Sequence, residues 1–228
     1  MSGRRFTSTR RVRLSDTDET GRLRLDAVAR YLQDVASDDW TDAGFDPDAH
    51  VWVVRRTWIE QLTPCGADEN VELTTWCSGV GSAAAARRYS LRGDRGGALE
   101  AESIWIHLDR DHRPLRLGEA FLAVYGSSAG GRRAPTRLEL PGPPRAGRGT
   151  EWFVRATDVD RLGHMNNAAY WAPIEEHWGE RLTGGVRVLL EYREPINRSE
   201  PLLVADADDG LWFLVAGDVR AAAAILPA

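Results

Sequence analysis

The chain has 228 residues, of which 43% are hydrophobic and 28% charged, and its formal charge is −5. That is the composition of a soluble globular protein with enough length for one large core or two smaller ones, and no apolar run approaches the ~20 residues that span a bilayer. Net negative charge without a basic cluster argues against nucleic acid as a partner, and two cysteines without CxxC spacing, Cys65 and Cys77, provide neither a disulfide framework nor a metal motif. The basic start Met1–Phe6 lacks the apolar stretch and cleavage site of a signal peptide, so a cytoplasmic location is expected.

Residues 6–14 alternate as a strand, and the turn-rich stretch Asp16–Gly21 follows. Apolar residues at 25, 28, 29, 32, 35 and 36 then keep the spacing of an amphipathic helix. Segments 51–62, 70–78, 82–92 and 98–109 are rich in β-branched and aromatic residues and are separated by Gly, Asp or Pro. A strand, a helix and four more strands predict an α+β unit with the helix on one face of an antiparallel sheet. Residues 127–149 have the Pro, Gly, Ser and Arg content of a linker. From Glu151 the cycle restarts, with a strand at 152–156, a polar turn, a helix over 167–182 and strands near 186–195, 200–207, 210–217 and 219–226. Pro173 is expected to bend or shorten that helix, because proline removes one of its hydrogen bonds.

The restart extends to the turn itself. Asp158 lies 142 positions after Asp16, and the same offset pairs Asp18 with Asp160, Gly21 with Gly163 and Arg22 with His164. The expected division is therefore an N-terminal domain over 1–130, a linker over 131–150 and a C-terminal domain over 151–228. Only the second copy carries the His and the two Asn, so polar chemistry is expected there.

A helix wrapped by an antiparallel sheet and entered through Asp158-Val159-Asp160-Arg161-Leu162-Gly163-His164-Met165-Asn166-Asn167 resembles the hotdog fold of thioesterases. Two in tandem resemble the double-hotdog acyl-ACP thioesterases. The likeness continues through Val54–Glu60, Val71–Trp76, Ala86–Tyr89 and Ala101–Asp109, where the Thr-Trp and Ser-x-Trp segments are similar to the carrier-protein branch. The resemblance implies hydrolysis of fatty acyl-acyl carrier protein to free fatty acid in fatty acid biosynthesis. It implies catalytic roles for Asp160 and His164, followed by the paired Asn166 and Asn167. It implies no metal or redox cofactor. The N-terminal half would shape the acyl pocket, with Trp40, Trp52, Trp58, Trp76 and Trp105 either lining it or packing the core. Two positions depart from the family pattern. Leu162 stands where the plant enzymes carry a catalytic Asn, and Pro195 stands where an acid belongs, leaving Glu194 one place early as its substitute.

In chemical terms, Asp160 is suited to act as general base toward water or to attack the carbonyl itself, and His164 to share the proton. Backbone N–H groups near Asn166–Ala168 are suited to meet the oxyanion. The same residues also suit plainer roles, Asp160 and Gly163 as a turn and the asparagines as helix caps. Glu175 and Glu176 sit on the helix where many hotdog enzymes carry an acid, although helix glutamates are usually solvated. His50, His107, His112 and His177 read as surface or packing residues. The alternatives are an acyl-CoA thioesterase of the 4-hydroxybenzoyl-CoA type and a non-catalytic acyl-binding module. Expected partners are acyl carrier protein or acyl-CoA, with an Arg4, Arg5, Arg10, Arg11 and Arg13 patch available to the acidic carrier, and the protein itself a monomer or homodimer.

Overall fold

The computed structural model describes residues 3–46, 51–143, 148–182 and 184–226, so His50 and positions 144–147 of the expected linker lie outside the described residues. The first part of the chain forms β1 (Phe6–Arg11), α1 (Leu25–Asp42), β2 (Val51–Thr63), β3 (Asn70–Val80), β4 (Ala84–Gly93) and β5 (Ala98–Leu108). After α2 (Glu119–Ala129) come β6 (Arg148–Trp152), α3 (Trp171–Trp178), β7 (Val186–Tyr192), β8 (Leu202–Ala207), β9 (Gly210–Val215) and β10 (Asp218–Leu226). All ten strands join one sheet in the order β1-β3-β4-β5-β2-β7-β10-β9-β8-β6, and every pairing is antiparallel. Within each five-strand half the first, third, fourth, fifth and second strands follow one another, so both halves have the same topology. They meet where β2 pairs with β7, from Arg56 opposite Glu191 to Gln61 opposite Val186.

The buried stripe of α1, which includes Leu25, Val28, Leu32 and Val35, packs into a core shared with Trp171, Ile174 and Trp178 of the second half. The helix outruns its apolar spacing, reaching Asp42 rather than 36, because the buried Asp39 is held by Arg4 at 2.7 Å and Arg87 at 2.6 Å. α3 is shorter than the expected 167–182. Residues before Pro173 close i to i−3 bonds, from Ala169 N–H to Asn166 O and from Ala172 N–H to Ala169 O. The proline ring would clash with the carbonyl four residues back in a regular helix, so the α-helix starts only at Trp171.

α2 is not among the elements expected from the sequence. Its Phe121, Tyr125 and Ala129 recur at four-residue spacing and bury a face beside Cys77 and Ala85, and Gly130 ends it in the left-handed region at φ 56°. Ser127–Ala129, read as linker, belong to this helix, and β6 starts inside the stretch read as linker. The connector is strapped across the β2–β7 seam. The fully buried Glu191 carboxylate accepts the Glu139 N–H at 2.5 Å and the Leu140 N–H at 3.1 Å, and Trp212 Nε1 donates to Pro141 O.

Candidate active site

The two turns are congruent bond by bond. In the first, Asp18 N–H donates to Arg22 O at 2.9 Å, Gly21 N–H to Asp18 O at 3.0 Å, Arg24 N–H to Asp16 O at 3.0 Å and Leu23 N–H to Cys65 O at 2.8 Å. In the second, Asp160 N–H donates to His164 O at 2.9 Å, Gly163 N–H to Asp160 O at 3.0 Å, Asn166 N–H to Asp158 O at 2.7 Å and Met165 N–H to Ile196 O at 2.8 Å. Gly21 and Gly163 both sit at positive φ, 84° and 82°, which accounts for glycine at each. In both turns the aspartate folds the loop over its own Oδ1. Asp18 Oδ1 accepts from Thr20 N and Arg22 N, and Asp160 Oδ1 from Leu162 N at 2.8 Å and His164 N at 3.3 Å. The plain turn reading of Asp160 therefore holds for one of its two oxygens.

The other oxygen separates the copies. Asp18 Oδ2 is bound by Arg22 Nε at 2.8 Å, and Arg22 reaches on to Glu175 of α3, buried on both sides. Burial pushes the Asp18 carboxyl up, but the Thr20 and Arg22 donors outweigh it and hold the group below its usual range. Asp160 Oδ2 accepts no hydrogen bond among the described residues. With His164 in place of Arg22, no guanidinium among the described residues pairs with that oxygen.

Asp160, Leu162, Asn166 and Asn167 line a cavity of about 650 Å³ whose far wall comes from the first half. α1 contributes Gln33, Ser37 and Trp40, and the sheet and α2 contribute Cys77, Trp105 and Phe121. The volume lies in the range of small-molecule sites, and its mix of aromatic walls with a few polar groups is typical of them. His164 belongs to the same turn but is not among the lining residues. Asn166 Oδ1 accepts the Ala168 N–H at 2.9 Å, a local cap, whereas nothing among the described residues accepts from the Asn167 N–H. Glu194 is not brought to the cavity. It lies on the surface in an ion pair with Arg220, because Arg193 and Glu194 both donate their N–H to Arg220 O, two residues against one at the end of β7. Leu162, 54% exposed, stands at the cavity edge without a polar group.

Of the five tryptophans considered for the pocket, Trp40, Trp52 and Trp105 line it. Trp58 is instead held between the guanidinium groups of Arg88 and Arg187, and Trp76 lies under Arg5. His107 is buried, stacked on Trp52 with its Nδ1 at Leu115 O, while His177 Nδ1 meets Pro173 O. Cys77 reaches the cavity, but burial pushes its thiol up, which disfavours the nucleophilic thiolate. Four of the five N-terminal arginines are occupied: Arg4 by Asp39 and Asp42, Arg5 by Trp76, Arg10 by Asp34 and Arg11 by Asp68. Among the described residues no group of three or more His, Cys, Asp or Glu is placed to hold a metal ion, and no helix is long and apolar enough to cross a membrane. Gln33 was not singled out in the sequence, although the 142-residue offset pairs it with Glu175.

Residues 3–125 match the acyl-ACP thioesterase N-terminal domain, and residues 143–207 match the acyl-ACP thioesterase C-terminal domain. An uncharacterised protein of Mycobacterium tuberculosis is 36% identical over 229 residues, covering 97% of this chain and 92% of its own length. Among solved structures, an acyl-ACP thioesterase from Bacteroides thetaiotaomicron is similar with a TM-score of 0.79 at 18% identity, covering 97% of each chain. The 12:0-ACP thioesterase from Umbellularia californica is similar with a TM-score of 0.77 at 18% identity, covering 100% of this chain and 99% of its own.

Proposed function

We propose, from the premise that this chain belongs to the acyl-ACP thioesterase family and hydrolyses the thioester of fatty acyl-acyl carrier protein, that Asp160 is its general base. The observation that carries this assignment is the open Oδ2 of Asp160 beside the cavity, where the congruent Asp18 is neutralised by Arg22. With Oδ1 fixed by two backbone N–H groups, the turn presents one oxygen to a water molecule. That water adds to the thioester carbon as Asp160 takes its proton. The carbonyl oxygen becomes negative and is met by the Asn167 N–H. The C–S bond then breaks, the carrier thiolate takes the proton that Asp160 accepted, and free fatty acid leaves; His164, outside the cavity lining, serves by leaving Oδ2 without the guanidinium that Arg22 places on Asp18. Asn166 closes the turn that leads into α3, accepting the Ala168 N–H, and so holds Asn167 in place. Glu194, committed to Arg220, takes no part.

The repeat of topology and of the turn supports a tandem hotdog arrangement, with 1–130 as the pocket-forming unit and 151–228 as the catalytic one. The acyl chain enters between α1 and the first-half sheet. The reaction serves fatty acid biosynthesis in the cytoplasm, and one chain already supplies both units of the site, which suits a monomer.

The test is thiol release from matched acyl-carrier-protein and acyl-CoA substrates with chains of eight to eighteen carbons. Turnover on the carrier-protein substrates is expected to exceed that on acyl-CoA. Equal or better turnover of acyl-CoA would refute the carrier assignment, and acyl binding without release would establish a non-catalytic module.

A further inference from the structure

Each turn faces the helix of the other half. In the first-half site Glu175 of α3 accepts the Leu25 N–H at the entry of α1, and it also binds both terminal nitrogens of Arg22, at 3.2 and 2.6 Å. The offset of 142 that pairs Arg22 with His164 also pairs Leu25 with Asn167 and Gln33 with Glu175. Gln33 of α1 therefore holds, toward the second turn, the position that Glu175 holds toward the first. Gln33 and Asn167 line the cavity together and share the small recess next to Trp105. Among the described residues the Gln33 side chain makes no hydrogen bond, and the Asn167 N–H has no acceptor, in contrast to its bound counterpart at Leu25.

We propose that Gln33 is a catalytic residue: its carboxamide N–H groups and the Asn167 N–H together receive the thioester carbonyl oxygen, so the oxyanion hole is built from both halves of the chain. This inference rests on the hydrolase reading above. Its chemistry follows from glutamate and glutamine having equal reach. An ionised carboxylate only accepts, so Glu175 binds the entry N–H itself and closes the first-half site. A carboxamide carries donors as well as an acceptor, and Gln33 does not bind the Asn167 N–H among the described residues, so its NH2 group adds a second donor beside an entry N–H that stays open to the substrate. As water adds to the carbon, the C=O π electrons move onto the oxygen between the two donors. They return when the C–S bond breaks, the thiolate leaving with the proton that Asp160 took from water. Because that charge exists only in the transition state, the donors act on kcat rather than KM.

The experiment compares kcat, KM and thermal midpoint for acyl-carrier-protein hydrolysis by the wild type, Gln33→Ala and Gln33→Glu. Loss of one oxyanion donor is expected to lower kcat by roughly 10²–10³ in both variants, with KM within about threefold. Gln33→Glu is nearly isosteric and copies the closed first-half site, so it carries the test if the alanine variant fails to fold. A folded Gln33→Glu protein with kcat within about threefold of wild type, or with its loss confined to KM, would overturn the proposal. A wild type that releases no thiol would overturn the hydrolase reading and this inference with it.

Discussion

Two aspartates fold two congruent loops, and one neighbour decides which of them keeps an open oxygen. Asp18 is neutralised by Arg22 and also accepts the Thr20 hydroxyl at 2.7 Å, whereas at the equivalent of Thr20 the second turn has Leu162, which gives Asp160 only its backbone N–H. Leu162→Thr should restore that hydroxyl donor, and a carboxylate already satisfied in the ground state reacts less readily with water, so kcat should fall while KM stays within about threefold. An unchanged kcat would show that Asp160 is not the base. The residues of the Asp160 to Asn167 run were legible because they are contiguous, and the run itself encodes the turn. Gln33 was hidden because its role depends on which helix faces which turn. Glu194 misled because one residue of slip at the end of β7 changes a site residue into a surface one.

At the scale of elements, α1 and α3 are counterparts with different tasks. α1 forms one wall of the cavity, whereas α3 supplies Glu175, which locks the first-half turn. Both partners of the Arg22–Glu175 pair are nearly buried, with side chains 7% and 9% exposed. Removing Glu175 leaves the buried Arg22 with Asp18 alone and takes the acceptor from the Leu25 N–H, so Glu175→Ala should destabilise the protein by about 3 kcal/mol in denaturant unfolding. A change below about 0.5 kcal/mol, the range of an ordinary surface substitution, would mean that the pair is not the lock described here. The apolar periodicity of α1 and the alternation of the strands were visible in the sequence, and Pro173 correctly announced a shortened second helix. α2 was missed because its buried Phe121, Tyr125 and Ala129 lie in a generally apolar, Gly-flanked run that ends in linker composition. The last part of α1 was missed because ionic contacts to Asp39 extend it, and those come from Arg4 and Arg87 elsewhere in the chain.

For the whole molecule, the seam between β2 and β7 makes one sheet of two halves, and the connector strapped to Glu191 holds that seam from outside. The arginines of the N-terminus are paired within the chain, Arg4 with the buried Asp39 and with Asp42, and Arg10 and Arg11 at the surface with Asp34 and Asp68, so they offer little free charge to an acidic carrier. The same economy predicts acid sensitivity. Burial pushes the Asp26 carboxyl up, but Arg24 and Arg30 outweigh it and hold the group below its usual range. A carboxyl depressed on folding stabilises the protein above its unfolded value, near 4, and that contribution fades as pH falls through the lower folded value. Asp26→Asn should therefore flatten the decline in stability below about pH 4, an effect of about 1 kcal/mol for this partly exposed pair. An unchanged decline would assign the acid sensitivity to other groups. The free thiols offer a separate check on packing. Burial, with Glu69 adding, pushes Cys65 up to about 12, so a thiol reagent should modify it at neutral pH only after unfolding. Rapid labelling of the native protein would contradict the buried placement.

The central claim is that two congruent turns divide the work, one catalytic and one locked, and the direct measurement is thiol release by Asp160→Asn and Asp18→Asn side by side. Asparagine keeps the oxygen that folds each loop and removes the carboxylate charge. The account predicts that Asp160→Asn loses roughly 10²–10⁴ of the rate, the contribution typical of a general base, while folded Asp18→Asn stays within a few-fold of wild type. Equal rates for the two variants, or loss in Asp18→Asn alone, would contradict it.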